Sequence, residues 1–191
     1  MKKFIIPLFA ILFFLTSCEV INQLVPDVDS VVTVSYTIPI DENLPTGVSD
    51  TTLVDITEYP EYQDYSQYVT GYELEKITYE ITDYDDAPED LYFEGSIIAE
   101  DSIASTTVVV ADIELVKLLD LANNEGTTDM LLDEAGKDQL LDWLDDPGTF
   151  NAHFEFGFKN EDGTDYNFDP EDLGSSFKVK VNYHLVIITG L

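Results

Sequence analysis

Asn160-Glu161-Asp162-Gly163-Thr164-Asp165 is the run whose residue types come nearest to a metal loop, because oxygen ligands spaced around a glycine turn wrap a hard cation. The EF-hand pattern asks for an acid five places before the glycine. Phe158 stands there, so the first ligand is missing. A hairpin turn on Gly163, joining an aromatic strand to Tyr166-Asn167-Phe168, accounts for the run better. His153 and His184 each fall on the more polar side of an alternating segment. Were those segments neighbours, the two imidazoles could share a metal with Glu155, although isolated histidines more often serve as surface or cross-strand residues. Carboxylates are everywhere among the 39 acidic residues, so no pair stands out as an acid and a base. A glycoside hydrolase would need two of them about 5 to 10 Å apart across a cleft. There is no Gly-x-Ser-x-Gly elbow, no His-Glu-x-x-His and no phosphate loop. These readings assign no catalytic, cofactor-binding or metal-ligating residue. The one side chain with an expected covalent role is Cys18, the only cysteine.

Cys18 closes a leader with three parts in order. Lys2 and Lys3 give a basic start, Phe4 to Leu15 form an apolar run interrupted only by Pro7, and Thr16 and Ser17 are small. The run is about a dozen residues, against about 20 needed to cross hydrocarbon as a helix, so it reads as an export signal and not as a permanent span. Leu15-Thr16-Ser17-Cys18 resembles the lipobox of bacterial lipoproteins. The resemblance implies that the Cys18 thiol receives a diacylglycerol, that the chain is cut just before it, and that the new amino group is acylated. Cys18 would then be residue one of a membrane-anchored envelope protein, in the outer membrane in preference to the inner. Two or three acyl chains, at about 0.8 kcal/mol per buried methylene, hold a protein on a bilayer where one does not. Lipidation would consume the only thiol, leaving the fold to its core alone.

The formal net charge is −31, and loss of Lys2 and Lys3 with the leader makes it two units more negative; the chain has no arginine. Affinity for nucleic acid phosphates is built from Lys and Arg, so nucleic acid is excluded as a partner. An acid excess of this size favours a solvated surface, and also weak contacts with divalent cations or basic partners. With 45% hydrophobic and 12% aromatic residues the chain is no disordered polyelectrolyte.

The elements that must carry these residues are mostly strands. Residues 1–17 read as the leader, 18–30 as a lipidated tether containing Pro26, and 31–191 as a single domain. From Val31 to Ile40, Val32, Val34, Tyr36, Ile38 and Ile40 alternate with Val31, Thr33, Ser35 and Thr37, the period of a half-buried strand. A loop with Pro45 and Gly47 leads to a second strand at Thr51 to Thr57. Tyr59, Tyr62, Tyr65, Tyr68 and Tyr72 predict a short helix after Pro60 that ends near Gly71. Steps of three drift by about 60° each, so the first four tyrosines fan over about half the circumference. That gives either a packed helix with hydroxyls reaching water or an aromatic platform for a sugar or peptide.

Strands are predicted from Glu73 to Tyr84 and from Leu91 to Ala99, joined by an acidic turn (Asp85, Asp86, Pro88, Glu89, Asp90), and Ile103 to Val110 is predicted deep in a sheet. Asp112 is read as the cap of a helix through Leu115, Leu118, Leu119 and Ala122, stopped by Asn123, Asn124 and Gly126. A second helix is predicted over Asp133 to Leu144, with Trp143 as a core anchor and Asp145-Asp146-Pro147-Gly148 as its end. Phe150, Ala152, Phe154, Phe156 and Phe158 form one face of the clearest strand; Val179, Val181, Tyr183, Leu185 and Ile187 form one face of the last, Phe177 to Ile187.

About seven or eight antiparallel strands with two or three short inserted helices predict a mainly β fold, a β-sandwich, because half-apolar strands need a second sheet over them. Beyond the lipobox the body is similar, in a general way, to small sandwich lipoproteins of bacteria. The functional expectation is a lipid-anchored, non-enzymatic binding or structural accessory module meeting a protein or glycan partner through loops and exposed tyrosines. The alternatives are a surface glycan hydrolase with paired carboxylates and a divalent-cation-dependent adhesin-like domain.

Overall fold

Strict alternation along a strand can bury only one of its faces, so each such strand calls for a second layer. The computed structural model, which describes residues 30–40, 50–83, 90–124, 126–145, 148–166 and 177–190, supplies that layer as a second sheet. Strands β1 (Ser30–Ile40), β3 (Val69–Thr82), β6 (Thr128–Asp129) and β9 (Phe177–Thr189) form a four-stranded sheet in the order β1-β9-β3-β6. Strands β2 (Asp50–Asp55), β4 (Tyr92–Asp101), β5 (Thr107–Lys117), β7 (Leu131–Leu132) and β8 (Thr149–Lys159) form a five-stranded sheet in the order β2-β8-β4-β5-β7. Every pairing is antiparallel, and the fold is the expected β-sandwich. The leader, Cys18, the tether up to residue 29, Pro45 and Gly47, Tyr84 and the acidic turn through Glu89, Asp146-Pro147 and Asn167-Phe168 lie outside the described residues.

The phenylalanine face of β8 and the apolar face of β9 turn toward each other and are buried. Phe150 meets Tyr183 edge-on with ring centroids 5.6 Å apart, and Phe158 meets Phe177 at 6.1 Å, so the two central strands clamp the sheets together. Each ring so buried contributes roughly 1.5–3 kcal/mol. On β4, Phe93 packs within 6.1 Å of Phe154, Phe156 and Phe158. The mid-strand Gly95 makes room for them, since a Cβ there would stand 3.1 Å from the Phe154 ring.

Among the described residues three short α-helices accompany the sheets. α1 spans Pro60–Tyr65, α2 Leu118–Ala122 and α3 Glu134–Asp145. Helix α3 buries Leu140, Trp143 and Leu144 in the core, against both sheets, and Trp143 is the anchor expected of it. Its start is fixed by Asp133, whose carboxylate accepts the Gly136 N–H at 2.7 Å.

Four local expectations are corrected. The tyrosine-rich helix stops at Tyr65, and Tyr68 and Tyr72 belong to a turn and to β3, which already pairs with β9 at Val69↔Thr189. A six-residue helix has little stability of its own, so the long ladder wins. Asp112 caps no helix: it lies in mid-β5, and α2 begins only at Leu118. Ile103 is 78% exposed at the β4–β5 turn, where the Asp101 carboxylate accepts the N–H groups of Ile103 and Ala104. The strand therefore starts at Thr107, and only the two-residue β7 lies beyond it in the sheet. The second strand ends at Asp55, which accepts hydrogen bonds from the Thr57 backbone and hydroxyl and opens a 3-10 turn over Ile56–Glu58.

Candidate functional site

The proposed sharing of a metal by His153 and His184 is overturned by topology. β8 and β9 lie in different sheets, and both histidines sit on outer faces, opposite sides of the sandwich. His153 Nε2 lies 2.8 Å from Glu100 and its Nδ1 3.0 Å from the Thr51 hydroxyl, a cross-strand chain over β2, β8 and β4. His184 Nε2 lies 3.2 Å from the Thr78 hydroxyl, in a row where Ser35 donates to Asn182 (2.7 Å) and Asn182 to Thr78 (3.3 Å). Thr78 and Asn182 are buried, so this row satisfies polar groups that would otherwise destabilise the sheet. Among the described residues no three His, Cys, Asp or Glu side chains stand where they could hold one metal ion.

What the fold does assemble is an acidic concavity of about 680 Å³, open on the outer face of the five-stranded sheet. Register builds it. Glu155 of β8 lies opposite Ser96 of β4, and Ser96 lies opposite Asp112 of β5, giving one row across three strands. The Ser96 hydroxyl donates to Asp112 at 2.6 Å, holding that carboxylate over the sheet. Glu94 and Glu114 flank the row, and Lys159 closes one end. Lys159 reaches Asp165 at 2.7 Å and Glu94 at 3.1 Å, and these hydrogen bonds, Asp165 first, hold its ammonium above the usual lysine range. Gly157 lies opposite Glu94, and a Cβ there would meet the Lys159 stem at 3.4 Å, so the bare glycine gives the lysine its path. Toward β6 a second concavity of about 420 Å³ shares Asp112, Ile113, Glu114 and Leu115 and adds Tyr79, whose phenol burial pushes up to about 12.

The other sequence candidates fall elsewhere. Tyr59, Tyr62, Tyr65, Tyr68 and Tyr72 are all partly buried, and Tyr59, Tyr62 and Tyr72 pack against the core, the packed arrangement of the two read from their spacing. Burial first, then the neighbouring Tyr62, raises the Tyr72 phenol. The run Asn160 to Asp165 is a turn, as expected: the Asn160 N–H donates to Thr164 O, and Gly163 has φ 79°. Within it the Asp162 carboxylate accepts from the Thr164 hydroxyl and N–H, which hold it below the usual carboxylate range. Glu94, Ser96, Asp112 and Glu114 were missed as a group by sequence reasoning. On sequence alone Asp112 reads as a helix cap, and only the strand order and the bulges between β4 and β5 bring the four to one row.

No family model and no curated protein matches the chain. Solved structures with which it shares a likeness include that titled Desmodium yellow mottle tymovirus, 7% identical, covering 87% of this chain and 86% of that one with a TM-score of 0.29. Turnip yellow mosaic virus at 100 K is 10% identical over 85% of this chain and 96% of that one, with a TM-score of 0.25. Likenesses at this level carry no argument about the chain. Among the described residues no helix is long and apolar enough to cross a membrane.

Proposed function

We propose that the protein is a lipid-anchored bacterial envelope protein, in the outer membrane in preference to the inner, and acts as a non-enzymatic binding or structural accessory module. The order of Lys2-Lys3, the apolar run and Leu15-Thr16-Ser17-Cys18 supports the anchor. At most 11 residues separate Cys18 from the start of β1 at Ser30, a reach of roughly 40 Å even if fully stretched. The sandwich therefore works close to the bilayer surface. The observation that carries the module reading is the acidic concavity, a row of carboxylates on an open sheet face rather than in a cleft enclosing a scissile bond. Such a face suits cationic groups on a protein or glycan partner.

The anchor is tested by the intact mass of the chain taken from membranes of its own host, beside Cys18→Ala. A chain beginning at Cys18 and heavier by two or three acyl groups is expected, with the variant neither cut nor acylated. A soluble chain cut elsewhere with a free thiol overturns it. The face is tested by calorimetric titration with oligolysine: Glu155→Gln with Glu114→Gln should weaken binding severalfold, and binding equal to that of the unaltered chain removes the concavity from the reading.

A further inference from the structure

A sheet edge offers unpaired N–H and C=O groups to any extended chain, and proteins blunt such edges by shortness, charge, proline or a bulge. Among the described residues the two sheets end at β1, β2, β6 and β7. β6 and β7 are two residues long and cover only Thr78–Tyr79 of β3 and Ala111–Asp112 of β5, but β3 and β5 carry charged residues along their length; β2 is six residues, begun and ended by Asp50 and Asp55. β1 runs for 11 residues, and its register with β9 proceeds from Ser30↔Ile187 to Ile40↔Phe177 without a shift, whereas the β3–β9 and β4–β5 ladders contain bulges. Its sequence, SVVTVSYTIPI, has no charged residue, and every other strand longer than two residues has at least one. Pro39 is its one guard and stands next to its end. Among the described residues no strand pairs with this outer edge, although α1 packs near β1.

Pro39 also sets the parity of the edge. Having no N–H, it fits a one-sided ladder with its nitrogen turned away from β9. Alternation then turns the N–H and C=O groups of Val31, Thr33, Ser35 and Thr37 outward as well. The side chains of Val31, Thr33 and Ser35 are exposed, while those of Val32 and Val34 are buried.

We infer that β1 pairs antiparallel with β1 of a second copy of this chain about a two-fold axis, joining two four-stranded sheets into one of eight strands. With the axis at Val34, Thr33 faces the partner's Ser35 and Val31 faces the partner's Thr37. Both are pairs of outward-turned residues, so their backbone groups satisfy one another. Two features single out a second copy as the occupant. About Val34 the segment sets Thr33 against Ser35 and Val31 against Thr37, so the outward set that meets itself is entirely β-branched or hydroxyl-bearing. In a chain of charge −31, the charge-free strand is also where two copies approach with least repulsion.

The test is light scattering of the intact chain in detergent over a range of protein concentrations at low and high sodium chloride. A dimer that tightens with salt is expected, because salt screens the repulsion of two acidic bodies. Thr33→Lys should raise the dissociation constant on the order of tenfold, since the substitution occurs twice about the axis; Thr33→Ser should leave it unchanged. The lysine makes the chain less negative, so repulsion between whole molecules alone would give the opposite sign. Circular dichroism verifies that the variant folds, and Val31→Lys, at a half-exposed position, replaces it should it not. A monomer at every concentration and salt level overturns the inference, as does a dimer indifferent to both lysines.

Discussion

A Cβ on Gly136 would stand 1.7 Å from the carbonyl oxygen of Val109, closer than any two such atoms approach. Helix α3 thus rests its first turn directly on the backbone of β5, and the Asp133 N–H donates to Val110 O at 2.9 Å in the same place. Glycine in a helix interior costs about 1 kcal/mol relative to alanine, so its presence here marks the close approach. Gly136→Ala should gain that propensity and lose more, because the obstacle is main chain and the helix must shift; overpacking of this kind costs about 1–3 kcal/mol. Urea unfolding followed by Trp143 fluorescence should show a lower midpoint. An unchanged or higher midpoint would mean that α3 does not seat on β5 in this way.

The same region shows what could be read from sequence and what could not. Periodicity alone located the Phe150–Phe158 face, the last strand and α3, since each buries one side over ten or more residues. It failed at Tyr59–Tyr72 and at Asp112, where a local helix signal competed with a ladder whose partner is far away in the chain. Thr78 and Asn182 look like solvent-facing residues in an alternating pattern, yet they are buried, and the partners that make this tolerable, Ser35 and His184, are brought alongside only by strand order. The acidic row was illegible for the same reason: carboxylates are abundant, and only pairing decides which three strands place theirs together.

Like charges on that row destabilise the sheet slightly. Glu155 is exposed and shares the concavity with Glu94, Asp112 and Glu114, so Glu155→Gln should raise stability by about 0.2–0.5 kcal/mol at low salt. The gain should shrink as sodium chloride is added. Lys159→Gln should have the opposite sign, because it leaves Glu94 and Asp165 facing each other without a cation. Thermal melts of both variants at two salt concentrations check the pair; shifts of the same sign would refute the electrostatic account.

Tyr79 links the core to alkaline stability. Burial raises its phenol from 10.0 to about 12, so the folded state holds that proton more tightly than the unfolded chain. The contribution is complete below pH 10 and is lost as pH rises from 10 toward 12. Tyr79→Phe removes the late phenolate titration seen by ultraviolet absorbance and should flatten the fall in unfolding free energy over that window. A fall of equal steepness in the variant would place the alkaline sensitivity elsewhere.

Asp162 works at the other end of the scale. Its carboxylate accepts the Thr164 hydroxyl at 2.6 Å and the Thr164 N–H at 3.0 Å, bonds that favour the ionised form and lower its pKa from 3.8. A depressed folded pKa means that the stabilisation is present above the unfolded value and disappears as pH falls through the folded one. Asp162→Ala should therefore lower the melting temperature at neutral pH, where the turn loses both bonds, and the gap to the unaltered chain should narrow as pH drops below about 4. Melts of the two proteins between neutral pH and acid measure that gap. A gap that stays constant into acid would show that Asp162 acts through the shape of the turn and not through its charge.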